Sequence, residues 1–272
     1  MKKEYSRFLT IAGSDSGGGA GIQADIKTAS ALGCYAMSVI TAVTCQNTEG
    51  VSGIHVVPED IVRKQLEAVF SDIGADAVKI GMVPTPECAE TIADVLLKYD
   101  IKNIVLDPVM VATSGDKLIS EEAIRKIIEL LFPLSDLITP NIPETEFITA
   151  VRFEDNKEQN YIQASKIFYE FGVNNVLIKS GHIEDNKEVY DYLFEKNGRM
   201  TKFGYKKINT SNTHGTGCTL SSAIASFMAK GNRSGTAVEK AENYIHKAIE
   251  KGAEFKLGNG HGPVHHFFEL WE

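Results

Sequence analysis

Apolar residues in this chain follow two alternating rhythms. Short, nearly unbroken apolar or β-branched runs occupy residues 8–12, 36–43, 77–80, 103–106, 137–139 and 175–178. Between them lie residues 22–32, 59–73, 85–99, 121–132 and 158–171, where apolar positions recur at helical spacing. In the second of these, Ile61, Val62, Leu66, Val69, Phe70 and Ile73 line one side, as an amphipathic helix requires. Ser120 stands where an N-cap belongs, with Glu121 and Glu122 favourably placed in the first turn. A strand such as Ile104-Val105-Leu106 is apolar on both faces, which fits a parallel sheet covered by helices on each side. The alternation predicts a doubly wound α/β domain with a mostly parallel central sheet.

After Gly181 the rhythm changes. Residues 189–194, Asn197-Gly198 and residues 200–205 read as a β-hairpin with a type I′ turn. A loop of small residues at 212–218 leads into an apolar helix over 219–229, and a last helix spans about 236–255. The tail, 258–272, is turn-rich and then aromatic, and is expected to pack back onto the domain. With no repeat or linker, residues 1–272 are expected to form one domain, leaving no room for a fused second enzyme.

Composition narrows the function classes. At 43% hydrophobic and 24% charged residues, with mean hydropathy −0.11, the chain is neither disordered nor fibrous. The longest apolar runs, such as 36–43, are too short to cross a bilayer, so no membrane partner is expected. The N-terminal charges precede a run broken by Gly13-Ser14-Asp15, unlike a signal peptide. The net charge is −8 and no basic cluster exceeds Lys206-Lys207, so a nucleic-acid partner is not expected either. Cys34, Cys45, Cys88 and Cys218 form no CxxC pair, which argues against a zinc knuckle or disulfide framework and for a reducing cytoplasm.

Two glycine-rich segments carry the first chemical signal. Residues 13–21 (Gly13-Ser14-Asp15-Ser16-Gly17-Gly18-Gly19-Ala20-Gly21) join the first strand to a helix, where backbone amides can approach a polar or anionic ligand. They match neither a Walker A motif nor the dinucleotide fingerprint. Residues 212–218 (Asn212-Thr213-His214-Gly215-Thr216-Gly217-Cys218) precede another helix. Amides at Gly215, Gly217 and Cys218 can nest an anion there, and a thiol at the helix start is expected to be acidified. Asp107, Asn141, Glu144 and Lys179 follow successive strands, at the carboxyl edge where open α/β sheets bind ligands. Carboxylates there suit Mg²⁺ beside substrate phosphates, and Lys179 suits a phosphate. His261, His265 and His266 lack a carboxylate or thiol partner at fitting spacing, so residues 258–263 read as a turn system rather than a metal site.

Taken together, these segments resemble the hydroxymethylpyrimidine/phosphomethylpyrimidine kinases of thiamine biosynthesis, in the ribokinase-like superfamily. The resemblance rests on Ala12-Gly13-Ser14-Asp15 with residues 17–25, Gln46-Asn47-Thr48, Lys79-Ile80-Gly81-Met82 and Asp107-Pro108-Val109-Met110. Thr139-Pro140-Asn141, Lys179-Ser180-Gly181-His182, residues 213–221 and residues 262–267 complete it, from about residue 8 to the C-terminus.

The resemblance implies ATP- and Mg²⁺-dependent phosphorylation of a hydroxymethylpyrimidine, first on its hydroxyl and then on the resulting phosphate, by a homodimeric cytoplasmic enzyme. It implies that Gln46 binds the aminopyrimidine, with Gly13, Asp15, Ala20, Met82 and Val109 lining the same pocket. It assigns Asp107 and Glu144 to Mg²⁺, and Asn141, Lys179, Gly181 and Gly215 to ATP. Gly215 and Gly217 would frame the anion hole, and Cys218 would stand where the wider superfamily has its aspartate base. The nearest rival is a pyridoxine/pyridoxal kinase on the same scaffold, from which Gln46-Asn47-Thr48 distinguishes this chain. A cysteine hydrolase using Cys218 with His214, and a non-catalytic pyrimidine sensor, are the readings from other classes.

Overall fold

The strand runs are nearly unbroken in apolar residues because adjacent residues feed different cores. The computed structural model describes residues 3–110, 119–153, 157–181 and 188–271; His182 and the last tail residue lie outside them. In chain order the elements are β1 (Arg7–Asp15), α1 (Gly21–Ala31), β2 (Tyr35–Gln46), β3 (Val51–Val56), α2 (Glu59–Asp72) and β4 (Ala77–Ile80). Next come α3 (Pro86–Lys98), β5 (Ile104–Leu106), α4 (Glu121–Lys126), β6 (Leu137–Ile138), α5 (Ile142–Thr149) and α6 (Glu158–Glu170). The chain continues with β7 (Asn175–Ile178), β8 (Glu188–Glu195), β9 (Met200–Lys206), α7 (Thr216–Ala229) and α8 (Ser234–Gly252). Leu9, Val78, Ile104, Ile138 and Ile178 enter one core with α2, α3, α4 and α6. Their neighbours Phe8, Ala77, Val105, Leu137 and Leu177 enter the other with α1, α7 and α8.

The strands form one sheet in the order β3-β2-β1-β4-β5-β6-β7-β8-β9. It is parallel from β2 to β7 and antiparallel at both margins. The doubly wound expectation therefore holds. Strand order reverses direction at β1 and β4, and a crevice outside the carboxyl ends of such strands is where ligands bind.

Several boundaries differ from those expected. The first strand continues through Asp15, with a register shift between Ala12 and Ser14, so Gly13 is a strand irregularity rather than loop. β3 and α5 were not anticipated: β3 is an exposed edge strand interrupted by Gly53, and α5 carries a proline, Pro143, that a helix accepts only in its first turn. The hairpin turn is not type I′. Of its central residues only Gly198 has positive φ (+88°), and the Gly198 amide donates to the Glu195 carbonyl. This is a type I turn closed by a left-handed glycine.

The tail folds back as expected. The His265 amide donates to the Ala248 carbonyl, and Val264 is buried. The His266 ring meets the Thr219 hydroxyl at 3.1 Å, and burial pushes its pKa down to about 3. A histidine kept neutral by folding takes up a proton more readily when unfolded, so its contribution fades as pH falls below its usual 6.5. His266→Gln is expected to remove about 2 kcal/mol of the stability lost between roughly pH 6.5 and 5. Denaturant titrations at both pH values measure this; identical losses in variant and parent would contradict it.

Candidate active site

Three successive strand ends converge on one charged cluster. Asp107 follows β5, Thr139 follows β6 and Lys179 follows β7. Lys179 Nζ lies 2.9 Å from Asp107 Oδ1, and the Thr139 hydroxyl donates to the same oxygen at 3.0 Å. Burial works against the Asp107 charge, but Lys179 and Lys79 hold the carboxyl below its ordinary range. Asn141 and Glu144 form a reciprocal cap on α5: the Asn141 side chain accepts from the Glu144 amide, and Glu144 Oε2 accepts from the Asn141 amide. Burial, aided by the charge of Asp107, lifts the Glu144 carboxyl to about 7 against the pull of Lys179.

The second glycine segment abuts this cluster. α7 begins at Thr216, three residues earlier than the sequence pattern indicated, so Cys218 lies inside its first turn. A Cβ on Gly217 would stand 3.3 Å from Lys179 Nζ and 3.5 Å from Asp107 Oδ2. The helix N-terminus, with its free amides and positive dipole end, thus faces the Asp107–Lys179 pair. Gly215 adopts φ +79°, and a Cβ there would fall 1.8 Å from the Gly19 carbonyl oxygen. The two glycine segments are in backbone contact at a point that admits no side chain.

Cys218 departs from its expected chemistry. Burial pushes its thiol up to about 11, and Asp25 and Asp107 add to that; Lys79 and the Gly21 amide pull the other way. The helix start does not acidify it because desolvation of the thiolate is the larger effect.

Beneath Cys218 lies a buried polar network that sequence reasoning missed. Lys79 Nζ pairs with Asp25 Oδ2 at 2.9 Å, and Asp25 also accepts from Thr10 and Ser222. Lys79 and Asp25 are fully buried. Burial disfavours the ammonium, yet Asp25, Cys218 and Asp107 together raise its pKa above the usual value. The signal was present: a lysine inside Ala77-Val78-Lys79-Ile80, a strand covered on both faces, must find an anionic partner.

On the other side of the cluster, Asp15 organises the first glycine segment. Its carboxylate accepts from the amides of Gly17, Gly19 and Ala20, and His214 Nε2 lies 2.9 Å away. These bonds hold the Asp15 carboxyl below its usual range despite burial. Because His214 turns to Asp15, the Cys218–His214 pairing of a hydrolase does not form. Gly13 packs on Met82, whose Sδ would be 3.0 Å from an added Cβ. The Val109 amide donates to the Asp107 carbonyl, which ties that residue to the cluster.

Gln46 ends β2, its side-chain oxygen 3.1 Å from the Thr44 hydroxyl. It borders an open depression of about 610 Å³ lined also by Ser16, Cys45, Asn47, Gly50 and Val51. The tail supports this wall, since the His261 and Gly260 amides both donate to Thr48. Gly181 is exposed just beyond Lys179.

Comparison with known proteins bears on this arrangement. The family described as phosphomethylpyrimidine kinase matches residues 15–265. The hydroxymethylpyrimidine/phosphomethylpyrimidine kinase of Rhizobium meliloti is 47% identical over 264 residues, covering 97% of this chain and 98% of that protein. The thiamine biosynthesis bifunctional protein ThiED of Geobacter sulfurreducens is 48% identical over 258 residues, 95% of this chain; the chain spans about half of that relative, 51%. Among solved structures, phosphomethylpyrimidine kinase from Clostridium difficile is 45% identical with TM-score 0.78, covering 89% of this chain and 99% of that one. An ADP complex of Bacillus subtilis pyridoxal kinase is 32% identical with TM-score 0.88, covering 98% of this chain and 100% of that one. Backbone similarity alone does not separate the two activities; identity is higher on the pyrimidine side.

Proposed function

The chain belongs to the phosphomethylpyrimidine kinase family, and from that premise we propose that it phosphorylates a hydroxymethylpyrimidine twice, using ATP. The observation that carries the reading is the meeting of the Asp107–Lys179 pair with the N-terminus of α7 at Gly217. Phosphoryl transfer passes through a loose transition state, so positioning and charge neutralisation supply most of the catalysis. In the proposal, Lys179, Asn141 and the exposed Gly181 meet the ATP phosphates, and amides of Gly215, Gly217 and Cys218 receive the migrating group. Gln46 recognises the aminopyrimidine, whose paired donors and acceptors suit a carboxamide. Met82 and Val109 flank its ring, and Gly13, Asp15 and Ala20 shape the loop around it.

Asp107 and Glu144 fit Mg²⁺, which takes one or two carboxylates and completes its shell with water and phosphate. Among the described residues, no group of three or more His, Cys, Asp or Glu gathers to hold an ion by itself. When bound, the ion would offset phosphate charge; Asp107 and Glu144 would hold it, and Lys179 keeps Asp107 oriented. The reading extends to a cytoplasmic homodimer. Its support is the β2–β3 margin, where Tyr35, Val43, Ile54 and Val56 are exposed apolar residues, and four cysteines left free as thiols.

The test is a competition between the pyrimidine alcohol and pyridoxine at equal concentration with limiting ATP. The pyrimidine is expected to take most of the phosphate. A higher kcat/KM for pyridoxine would replace the proposal with the pyridoxal-kinase reading.

A further inference from the structure

Two carboxyl groups that the transfer chemistry does not use stand behind the nucleotide side of the site. β7 ends at Ile178 and hands over to Lys179-Ser180-Gly181. Ser180 is buried, and its amide donates to Asp191 Oδ1 of β8 at 2.7 Å. Its hydroxyl donates to the Tyr190 carbonyl and accepts from the Tyr190 amide at 3.2 Å. These bonds extend the β7–β8 pairing beyond its last register pair, Ile178 with Tyr192. Ser180 therefore has little freedom.

Behind Asp191 lies Glu242 of α8, only 2% exposed, with a buried Oε1 that no N–H or hydroxyl among the described residues reaches. A carboxylate is not stable in that setting unless neutralised. Its hydrogen bond to Asp191 resolves the problem when Glu242 carries the proton and donates it. Burial accordingly pushes Glu242 well above its usual range, and Asp191 up to about 6, with Lys179 as the cation that opposes both shifts. Such a pair has a desolvation cost that well-packed apolar residues would avoid.

We propose that Asp191 and Glu242 are positioning residues: a carboxyl pair sharing one proton that clamps the Ser180 amide and so fixes Lys179 and Gly181 for the phosphates of ATP. This rests on the reading of Lys179 and Gly181 as nucleotide contacts. Glu242 keeps Asp191 in its accepting rotamer, Asp191 holds the backbone, and the backbone delivers Lys179 Nζ to within 2.9 Å of Asp107.

Calorimetric titration of ADP, with KM for ATP and for the pyrimidine alcohol, tests this on the full chain. Asp191→Ala is expected to weaken ADP binding and raise the KM for ATP about tenfold, the loss of one charge-assisted bond, while the KM for the pyrimidine stays at its parent value. Asp191→Ser leaves Glu242 a polar partner but cannot reach the Ser180 amide; it carries the same expectation should the alanine variant fail to fold. Glu242→Gln donates the same bond and is expected to bind ADP as the parent does. Lys179→Met is the control: unchanged ADP affinity there overturns the nucleotide-site reading itself. Weakened ADP binding in Lys179→Met with parental affinity in the Asp191 variants overturns the clamp alone. So does a fall in melting temperature without a change in either KM, and a Glu242→Gln defect equal to that of Asp191→Ala overturns the shared proton.

Discussion

Replacing Asp107 with asparagine is expected to lower kcat for both phosphoryl transfers by about 10²–10³-fold, the size of loss seen when one preorganised electrostatic group is removed from an active site. The substitution keeps the shape and leaves an acceptor for the Thr139 hydroxyl, but removes the charge that Lys179 meets at 2.9 Å. It also removes one of the two carboxylates that fit Mg²⁺. Both acceptors use the same donor phosphate, so both steps should suffer alike. Taking one member from a buried ion pair destabilises a fold by about 3–5 kcal/mol, so a denaturation curve must accompany the kinetics. A folded Asp107→Asn protein with parental kcat on both steps would remove Asp107 from the transfer centre.

Cys218→Ala should separate the two steps. The first acceptor is a neutral hydroxymethyl group that gains from a base; the second is a phosphate oxygen, already anionic. A positioned base contributes about 10²–10⁴-fold. In the free chain, burial holds the thiol up near 11, so the thiolate is a minor species and part of its advantage goes into forming it. The expected loss on the first step is therefore about 10²-fold, at the low end of that range, with a much smaller loss on the second. Separate rates with the alcohol and with its monophosphate measure this. Equal losses would mean that Cys218 shapes the pocket without handling the proton.

The sheet was legible because both of its faces are covered: Ile104-Val105-Leu106 and Asn175–Ile178 had to be apolar in every position facing a core. The site was legible because chain order places Asp107, Asn141 and Lys179 after consecutive strands, and parallel strands put those ends on one edge. What stayed hidden depends on three-dimensional proximity. The edge strand Val51–Val56 has no core-facing run to announce it. The acidity of Cys218 is set first by its burial and then by Lys79, Asp25 and Asp107, which arrive from β4, α1 and the end of β5. Asp15 was expected simply to line a pocket, yet its carboxylate is occupied by three amides and His214, residues 199 positions apart in the chain for the last pair. The Asp191–Glu242 pair likewise joins β8 to α8 across a separation no local pattern reveals.

The most direct test of the account is to supply ATP, Mg²⁺ and the free pyrimidine alcohol and to follow product mass with time. A monophosphate is expected to rise and then give way to a diphosphate. An alcohol left unmodified while ATP is consumed on a pyridoxine-type acceptor, or a product that stops at one phosphate, would contradict it.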